Sequence, residues 1–526
     1  MAFYFTKPIK IPLGGNVNAT GAQIAKLLRI AEKDVKSVRL HKQSVDARNK
    51  SDVHFVCSYV VETDKSPLNA TPYVLPVDVL QEAVPQGVNK KCVVVGAGPA
   101  GLFCALYLAK SGISVTVIER GSDVRERSAK VKTFFDGGAF DEKCNIQFGL
   151  GGAGTFSDGK LTTGISSPLT YTVFSQVHRS GAPSEILTSA LPHVGTDNLA
   201  VVVANLKNEI VEYGGEFLFD STVVDFLTDG GKVVGVQLDG GGKIYADFTV
   251  LACGHSARAT FERLVERGAN VTFKPFAVGV RIEHGREFIN VAQYGALAAT
   301  HRDLPAASYK LVHNGKEHSC YSFCMCPGGT VVAANSEVDS IVVNGMSNFR
   351  RDAANSNSAL VVNVTAQDVE RYGFGNDWQA GVRFQRHLEK QAFALAGDYR
   401  APCQNVCDFL AGRASSKFDV TPSYPRGVIG ANLNLLLPQP IVETLADALY
   451  QFDRKIKGFG TSGVLTAVES RTSSPVKIVR GDDFQSNLKG LYPIGEGAGY
   501  AGGIVSSAVD GLRVAQAIVS TASKQQ

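Results

Sequence analysis

No Cys-x-x-Cys pair occurs in this chain, and its ten cysteines form no Cys/His cluster with zinc spacing. A zinc ribbon and a thioredoxin-type motif are therefore excluded, and no metal site is expected. Every apolar run is broken by Gly, Lys, Asp or Arg well short of the ~20 residues a membrane-spanning helix needs. No lysine/arginine block stands out and the net charge is only +4 over 526 residues. Neither a nucleic-acid footprint nor a polybasic membrane patch is predicted. The first residues, Met1-Ala2-Phe3-Tyr4-Phe5-Thr6-Lys7-Pro8, lack the basic flank and apolar core of a secretory leader. Cys92, Cys104 and Cys253 fall inside apolar patterns, where a free thiol acts as a small hydrophobe, so a reducing, cytoplasmic setting is expected.

Glycine, by contrast, is plentiful: 54 residues, about 10% against a usual ~7%. The densest use is Gly96-Ala97-Gly98-Pro99-Ala100-Gly101, after the apolar run 92–95 and before a helix expected over 102–110. Gly96 permits a tight turn, Gly98 lets a pyrophosphate approach the backbone, and Gly101 lets helix and strand pack closely. The helix N-terminus, with Pro99 and Ala100, offers unpaired N–H groups to phosphates. A second strand, 115–118, ends at Glu119 and Arg120, about 20 residues on, where a carboxylate accepts from a ribose hydroxyl. Strand, glycines, helix, strand and acid in that order predict a bound adenine dinucleotide.

The rest of the chain reads as α/β. Residues 1–87 form a small βαββ domain, with Thr20 as N-cap of a helix over 20–31 and a proline-rich linker over 67–85. Residues 88–274 hold the first part of a Rossmann-like dinucleotide domain, a parallel sheet plus a β-meander turning at Asp229-Gly230-Gly231, with Val224 beside the adenine. A helix over 198–213 precedes the meander, and a buried strand ends at Ala252-Cys253-Gly254-His255. Residues 275–483 are an inserted mixed α+β substrate-side domain, and 484–526 return to the dinucleotide domain. Within the insert, a helix over 382–396 reads as solvated on its charged face, and Cys403 and Cys407 read as sharing a helix face.

Three further stretches carry chemistry. Gly149 to Gly159, just ahead of Lys160, has five glycines in eleven positions, too many for a stable helix or packed strand. It suits backbone lying against a flat ring, which makes Gly151, Gly152 and Gly154 cofactor contacts. Cys324 and Cys326 point the same way if extended, although cysteines two apart in a strand rarely reach disulfide geometry. Glu469-Ser470-Arg471 offers a carboxylate and a planar guanidinium, and Arg471 is the best candidate for orienting an anionic or carbonyl-bearing substrate. At the C-terminus, Gly495-Glu496 ends a strand and Gly502-Gly503-Ile504 opens a helix over 505–519. A carboxylate there binds a polyol chain and the helix start aims N–H groups at a ring carbonyl. A nicotinamide dinucleotide has no polyol chain and a flavin dinucleotide does, so the cofactor is read as FAD. No second Gly-x-Gly-x-x-Gly follows a strand, so an NAD(P)H donor has to bind transiently.

These runs resemble the three FAD signatures of glutathione-reductase-type flavoproteins, with Cys253 where Thr is usual before Gly254 and Glu496 where Asp is usual after Gly495. More narrowly, the whole chain resembles a family of uncharacterised, mostly bacterial FAD-dependent dehydrogenases. The matching runs are 44–48, 151–161, 254–258, 276–284, 321–329, 469–475 and 495–503. The resemblance implies FAD, an inserted substrate-side domain and the small N-terminal domain, and supplies no substrate. The expected function is hydride transfer between flavin and a small organic substrate, with Arg471, Glu469, Cys324 and Cys326 as catalytic candidates. The alternatives are a flavin monooxygenase and a non-catalytic FAD-binding redox sensor. Oligomeric state is left open.

Overall fold

The computed structural model describes residues 2–524 apart from 86 and 88. The expected domain boundary at 87/88 thus falls partly outside the described residues. The main sheet has five parallel strands in the order Leu491–Pro493, Phe248–Leu251, Lys91–Val95, Ser114–Ile118, Glu216–Leu218. Lys91–Val95 lies in the middle. The chain leaves it to one side for Ser114–Ile118 and returns much later on the other side with Phe248–Leu251. A crevice opens outside the carboxyl ends of strands at such a reversal. Both of its flanking turns are tied to the sheet: Gly96 N–H donates to the Ile118 carbonyl and Ala252 N–H to that of Val95.

Helix Pro99–Lys110 is buried along nearly its whole length, as expected of a helix with apolar residues on all sides. It packs beside helix Ile504–Lys524, and there Gly511 is obligatory: a Cβ would meet the Ala100 carbonyl oxygen at 2.2 Å. The meander strands Val223–Asp229, Lys232–Leu238 and Lys243–Tyr245 form a separate antiparallel sheet. Gly230 and Gly231 both have positive φ in its two-residue turn, the condition for a hairpin of matching twist.

The segment after Phe273 builds a seven-stranded sheet, Val312–Asn314, Ser319–Cys326, Asn355–Val364, Phe276–Gly285, Val464–Glu469, Ala401–Asn405, Val428–Gly430. All its pairs are antiparallel except the last. Helix Ala380–Ala396 corrects the solvated reading of 382–396, because Glu389 on it is fully buried. Cys403 lies in strand Ala401–Asn405 and Cys407 in helix Val406–Leu410, so they share no helix face.

The N-terminal sheet has the expected βαββ elements, Ile9–Pro12, Gly21–Leu28, Val35–Asp46 and His54–Thr63, plus two more strands. Ala2–Thr6 pairs with both His54–Thr63 and Ala70–Tyr73. The stretch read as a linker is therefore partly sheet. Thr20 does cap its helix, in a reciprocal box with Gln23. This unit docks on the main body where Gln43 exchanges backbone hydrogen bonds with Thr188 and Ala190. Asp46 pairs with Arg48, whose guanidinium is exposed.

Candidate functional site

The turns after three strands of the parallel sheet converge on one cavity of about 400 Å³. Gly96 and Gly98 come from the first, Cys253 to Ser256 from the second, and Gly495 and Glu496 from the third. Gly96 sits at φ +104, and a Cβ on Gly101 would meet the Gly96 carbonyl oxygen at 2.0 Å. Gly101 therefore shapes the turn without lining the cavity, whereas Pro99 and Ala100 line it. Glu119 is buried, accepting from Gly121 and Gly149 N–H on one oxygen and from Ala97 N–H on the other. Its second oxygen keeps a lone pair for a ligand hydroxyl.

A side cavity of about 40 Å³ continues past Glu119 between Arg120, Val223, Cys253 and Thr260. The side chain of Val224 is 38% exposed, so the meander residue that faces this space is Val223. Arg120 lies over the Phe148 ring at 4.3 Å.

The glycine run is less free than its composition predicts. Gly152–Phe156 is a short 3₁₀ turn, and fully buried Arg127 clamps the chain ahead of it. The Arg127 guanidinium donates to the carbonyls of Asn145, Gly149, Leu150 and Gly152. Gly151 has φ +87 and a Cβ there would meet Thr155 Oγ1 at 2.1 Å, so its role is the turn. Gly152 and Gly154 face the cavity, and a Cβ on Gly152 would lie 3.1 Å from the Gly98 Cα. Opposite them, Gly254, Gly502 and Gly503 have open space where a Cβ would stand, and Ile504 begins the last helix. Glu496 is half-buried on the cavity wall, and no hydrogen bond among the described residues reaches its carboxylate. Burial pushes it up to about 7, partly offset by Lys274. The neighbouring turn is held by Asp510, which accepts from Gly495 N–H at 2.8 Å and is paired to Arg480. These features fit a flavin dinucleotide: paired glycine walls, exposed backbone at a helix start, and a carboxylate with no protein partner.

Beyond that end lies a charged cluster. Glu469 forms a buried ion pair with Arg281 at 3.0 Å, yet burial, opposed by Arg281, pushes its carboxyl up to about 7. Arg281 also donates to Asn344, Asn357 and the Cys324 carbonyl. Lys160 reaches Asp158 at 2.9 Å, and Asp158 is bound by Arg351 at 2.6 Å as well. Cys324 lines the cavity, in a left-handed backbone at φ 43, a strain of about 1–3 kcal/mol that concentrates at functional sites. Cys326 is fully buried behind it. His255, on the same wall, is kept neutral: burial, then Arg471 and Arg258, push it down to about 3.

Arg471 is the main correction. It borders the cavity, but Nε and Nη2 bind Glu389 at 2.8 and 2.7 Å, and Nη1 donates to Ser256 and Ser336. Arg258 grips the same carboxylate. With four of its five N–H groups committed, this guanidinium is a strut between Glu389 and the turn after Phe248–Leu251. Sequence reasoning missed Arg281, Arg127, Glu389 and Asp510. Only Arg281 leaves a local trace, as a charge inside the apolar run Phe276–Gly285. Among the described residues no group of acidic, His and Cys side chains is arranged to hold a metal, and no helix is long and apolar enough to cross a membrane.

Three family models match this chain. Residues 275–472 match "FAD-dependent protein, C-terminal domain-like", residues 90–272 match the pyridine nucleotide-disulphide oxidoreductases, and residues 8–62 match a domain of unknown function. An uncharacterized protein of Clostridium beijerinckii is 41% identical across 97% of both chains. A digeranylgeranylglycerophospholipid reductase of Haloferax volcanii is 28% identical over 32% of this chain and 36% of its own. Among solved structures, the flavin-dependent brominase Bmp2 is similar over 83% of this chain and 80% of its own, at 16% identity and a TM-score of 0.38.

Proposed function

The chain belongs to a family of FAD-dependent oxidoreductases, and from that premise we propose that it oxidises or reduces a small organic substrate in the cavity lined by Cys324, Glu469 and His255. The observation that carries this reading is the convergence of three glycine-bearing turns on a cavity that is also lined by Lys160, Glu469 and Cys324. Bound there, FAD supplies the two-electron chemistry.

The chain's own residues supply position and protons. Gly96, Gly98 and the start of helix Pro99–Lys110 take the pyrophosphate, and Glu119 the adenosine ribose. The side cavity beside Val223 takes the adenine. Glu496 accepts from the polyol chain, and the N–H groups at Gly502 to Ile504 bind the ring. Glu469, at about 7 beside the cavity, gives and takes a proton near neutral pH, the range in which a general acid–base works best. Neutral His255 and the Lys160 ammonium orient the substrate, while Arg471 braces the wall behind them. In this reading 275–483 is the substrate-side insert, interrupting a dinucleotide domain made of 88–274 and 484–526, with 1–87 as a separate domain docked on it. The N-terminal, parallel and seven-stranded sheets support the division, although Val271–Phe273 pairs with Val476–Ile478 across it. An open groove of about 410 Å³, lined by Thr162, Lys274, Tyr500 and Gly502, adjoins the cavity and is the route for substrate and for a transient NAD(P)H donor. The unpaired cysteines fit a cytoplasmic, reducing compartment.

The test is anaerobic reduction of the purified protein, followed by a metabolite screen for reoxidation at the flavin band. Reoxidation by an organic acceptor without oxygen is expected. Oxygen uptake with a hydroxylated product would replace the reading with a monooxygenase. Colourless protein that FAD cannot reconstitute would overturn it.

A further inference from the structure

Cys324 and Cys326 stand two apart in strand Ser319–Cys326, where a regular pleat separates their Cα atoms by about 6.6 Å. The strand is not regular there. Its register against Asn355–Val364 slips between Phe323 and Cys326, and Cys324 takes up a left-handed backbone. The bulge turns the Cys326 thiol back onto its neighbour, where it donates to the Cys324 carbonyl oxygen at 3.3 Å. It also divides their surroundings: Cys324 lines the cavity, whereas Cys326 is fully buried behind it.

Two cations serve the pair. Arg281 Nη2 lies 3.7 Å and Lys160 Nζ 4.0 Å from the Cys326 sulfur, and Arg281 also holds the Cys324 carbonyl at 2.5 Å. We propose that Cys324 and Cys326 are a redox-active dithiol whose co-substrate is an organic disulfide, with Cys324 attacking and Cys326 resolving. As the substrate class of the oxidoreductase site this rests on the reading above; the thiol chemistry itself requires only the chain. The two cations beside the pair favour a thiolate there, and the Cys326 thiol, with help from Lys160 and Arg281, holds the Cys324 thiol well below the ordinary range against the effect of burial.

The step balances without further reagents. The Cys324 thiolate attacks one sulfur of the disulfide, the S–S bond breaks, and one thiol leaves with a proton from solvent. Cys326 then gives its proton to solvent and attacks the Cys324 sulfur, displacing the second thiol, which takes up a proton. From the thiolate–thiol state the pair loses two electrons and one proton, solvent supplies the second proton, and the disulfide becomes two thiols. Run in reverse, the same exchange oxidises a dithiol.

Pre-reduced full-length protein is mixed with oxidised glutathione near neutral pH without oxygen, quenched with a maleimide, digested and mapped by mass spectrometry. The wild-type 324–326 peptide is expected to lose both labels and carry an internal disulfide. Cys326→Ser should stall with glutathione on Cys324, and Cys324→Ser should slow reaction at Cys326 by at least about tenfold. Lys160→Met should slow iodoacetamide capture of Cys324 by about tenfold, one unit of thiol pKa. Both labels retained at the pair while exposed Cys407 takes the glutathione would overturn the proposal. If the serine variants do not fold, the wild-type map decides alone: an internal disulfide supports the pair, and a lasting mixed disulfide or none refutes it. Flavin content of the same sample separates the two readings. Oxidation of the pair in protein devoid of flavin sinks the cofactor reading only, and an inert pair in yellow protein sinks the dithiol only.

Discussion

Removing the Arg471 guanidinium tests whether that residue is a strut or a substrate ligand. In Arg471→Met a side chain of similar length leaves the buried Glu389 carboxylate with Arg258 as its cation and the Ser470 hydroxyl, and its five side-chain hydrogen bonds fall to three. Breaking a buried pair by removing one partner costs about 3–5 kcal/mol, and the surviving Arg258 puts this case at the lower end, near 3 kcal/mol. Glu389 is lowered from 4.5 to about 2, Arg258 and Arg471 together outweighing burial. Its folded value is depressed, so this stability is present above about pH 4.5 and is lost as pH falls through about 2. The assay is urea unfolding followed by the fluorescence of the single tryptophan, Trp378, which precedes the helix carrying Glu389. At about 1–3 kcal/mol per molar urea, the midpoint should fall by roughly 1–3 M. Glu389→Gln should do at least as much, and adding Arg471→Met to it should cost less than in the wild type, because the two share one interaction. A variant as stable as wild type that has lost turnover would refute the strut and restore Arg471 as a substrate ligand.

Gly101→Ala puts a Cβ at 2.0 Å from the Gly96 carbonyl oxygen, and the purified protein should carry less than about a tenth of the wild-type flavin by absorbance, a loss of over 1.4 kcal/mol of binding. Arg127→Met releases four carbonyls around the glycine turn, so amide exchange over 149–157 should rise by at least about tenfold while the parallel sheet stays protected. Glu496 and Glu469 are raised by burial from 4.5 to about 7. Their stability is full below about pH 4.5 and is lost as pH rises through about 7. The melting temperature of flavin-free protein should therefore fall across that window, and Glu496→Gln should flatten the fall.

The parts legible in the sequence are those whose physical cause is local. Gly96 and Gly101 are dictated by a turn and a contact within six residues, and Gly230-Gly231 by a hairpin whose central residues need positive φ. Thr20 names its own helix start because its partner is Gln23. The buried charges have no such local cause. Arg258 is 131 residues from Glu389, and Glu469 is 188 from Arg281, so nothing beside any one of them in the chain announces its partner. Glu389 was hidden further by its neighbours: Arg386 and Lys390 make its helix look solvated, while the side chain points the other way. Cys324 is the sharpest instance. The period of a regular strand puts its sulfur too far from that of Cys326, and no glycine or proline at 324 or 325 marks the bulge that closes the gap. The cation that favours the bulged form, Arg281, comes from a strand some forty residues earlier, and its Nη2 holds both the Cys324 carbonyl and the Cys326 sulfur. The bulge is therefore a tertiary feature, set by a buried guanidinium that needs acceptors. Replacing that guanidinium should disturb the thiol pair and Glu469 together, because one buried charge positions both.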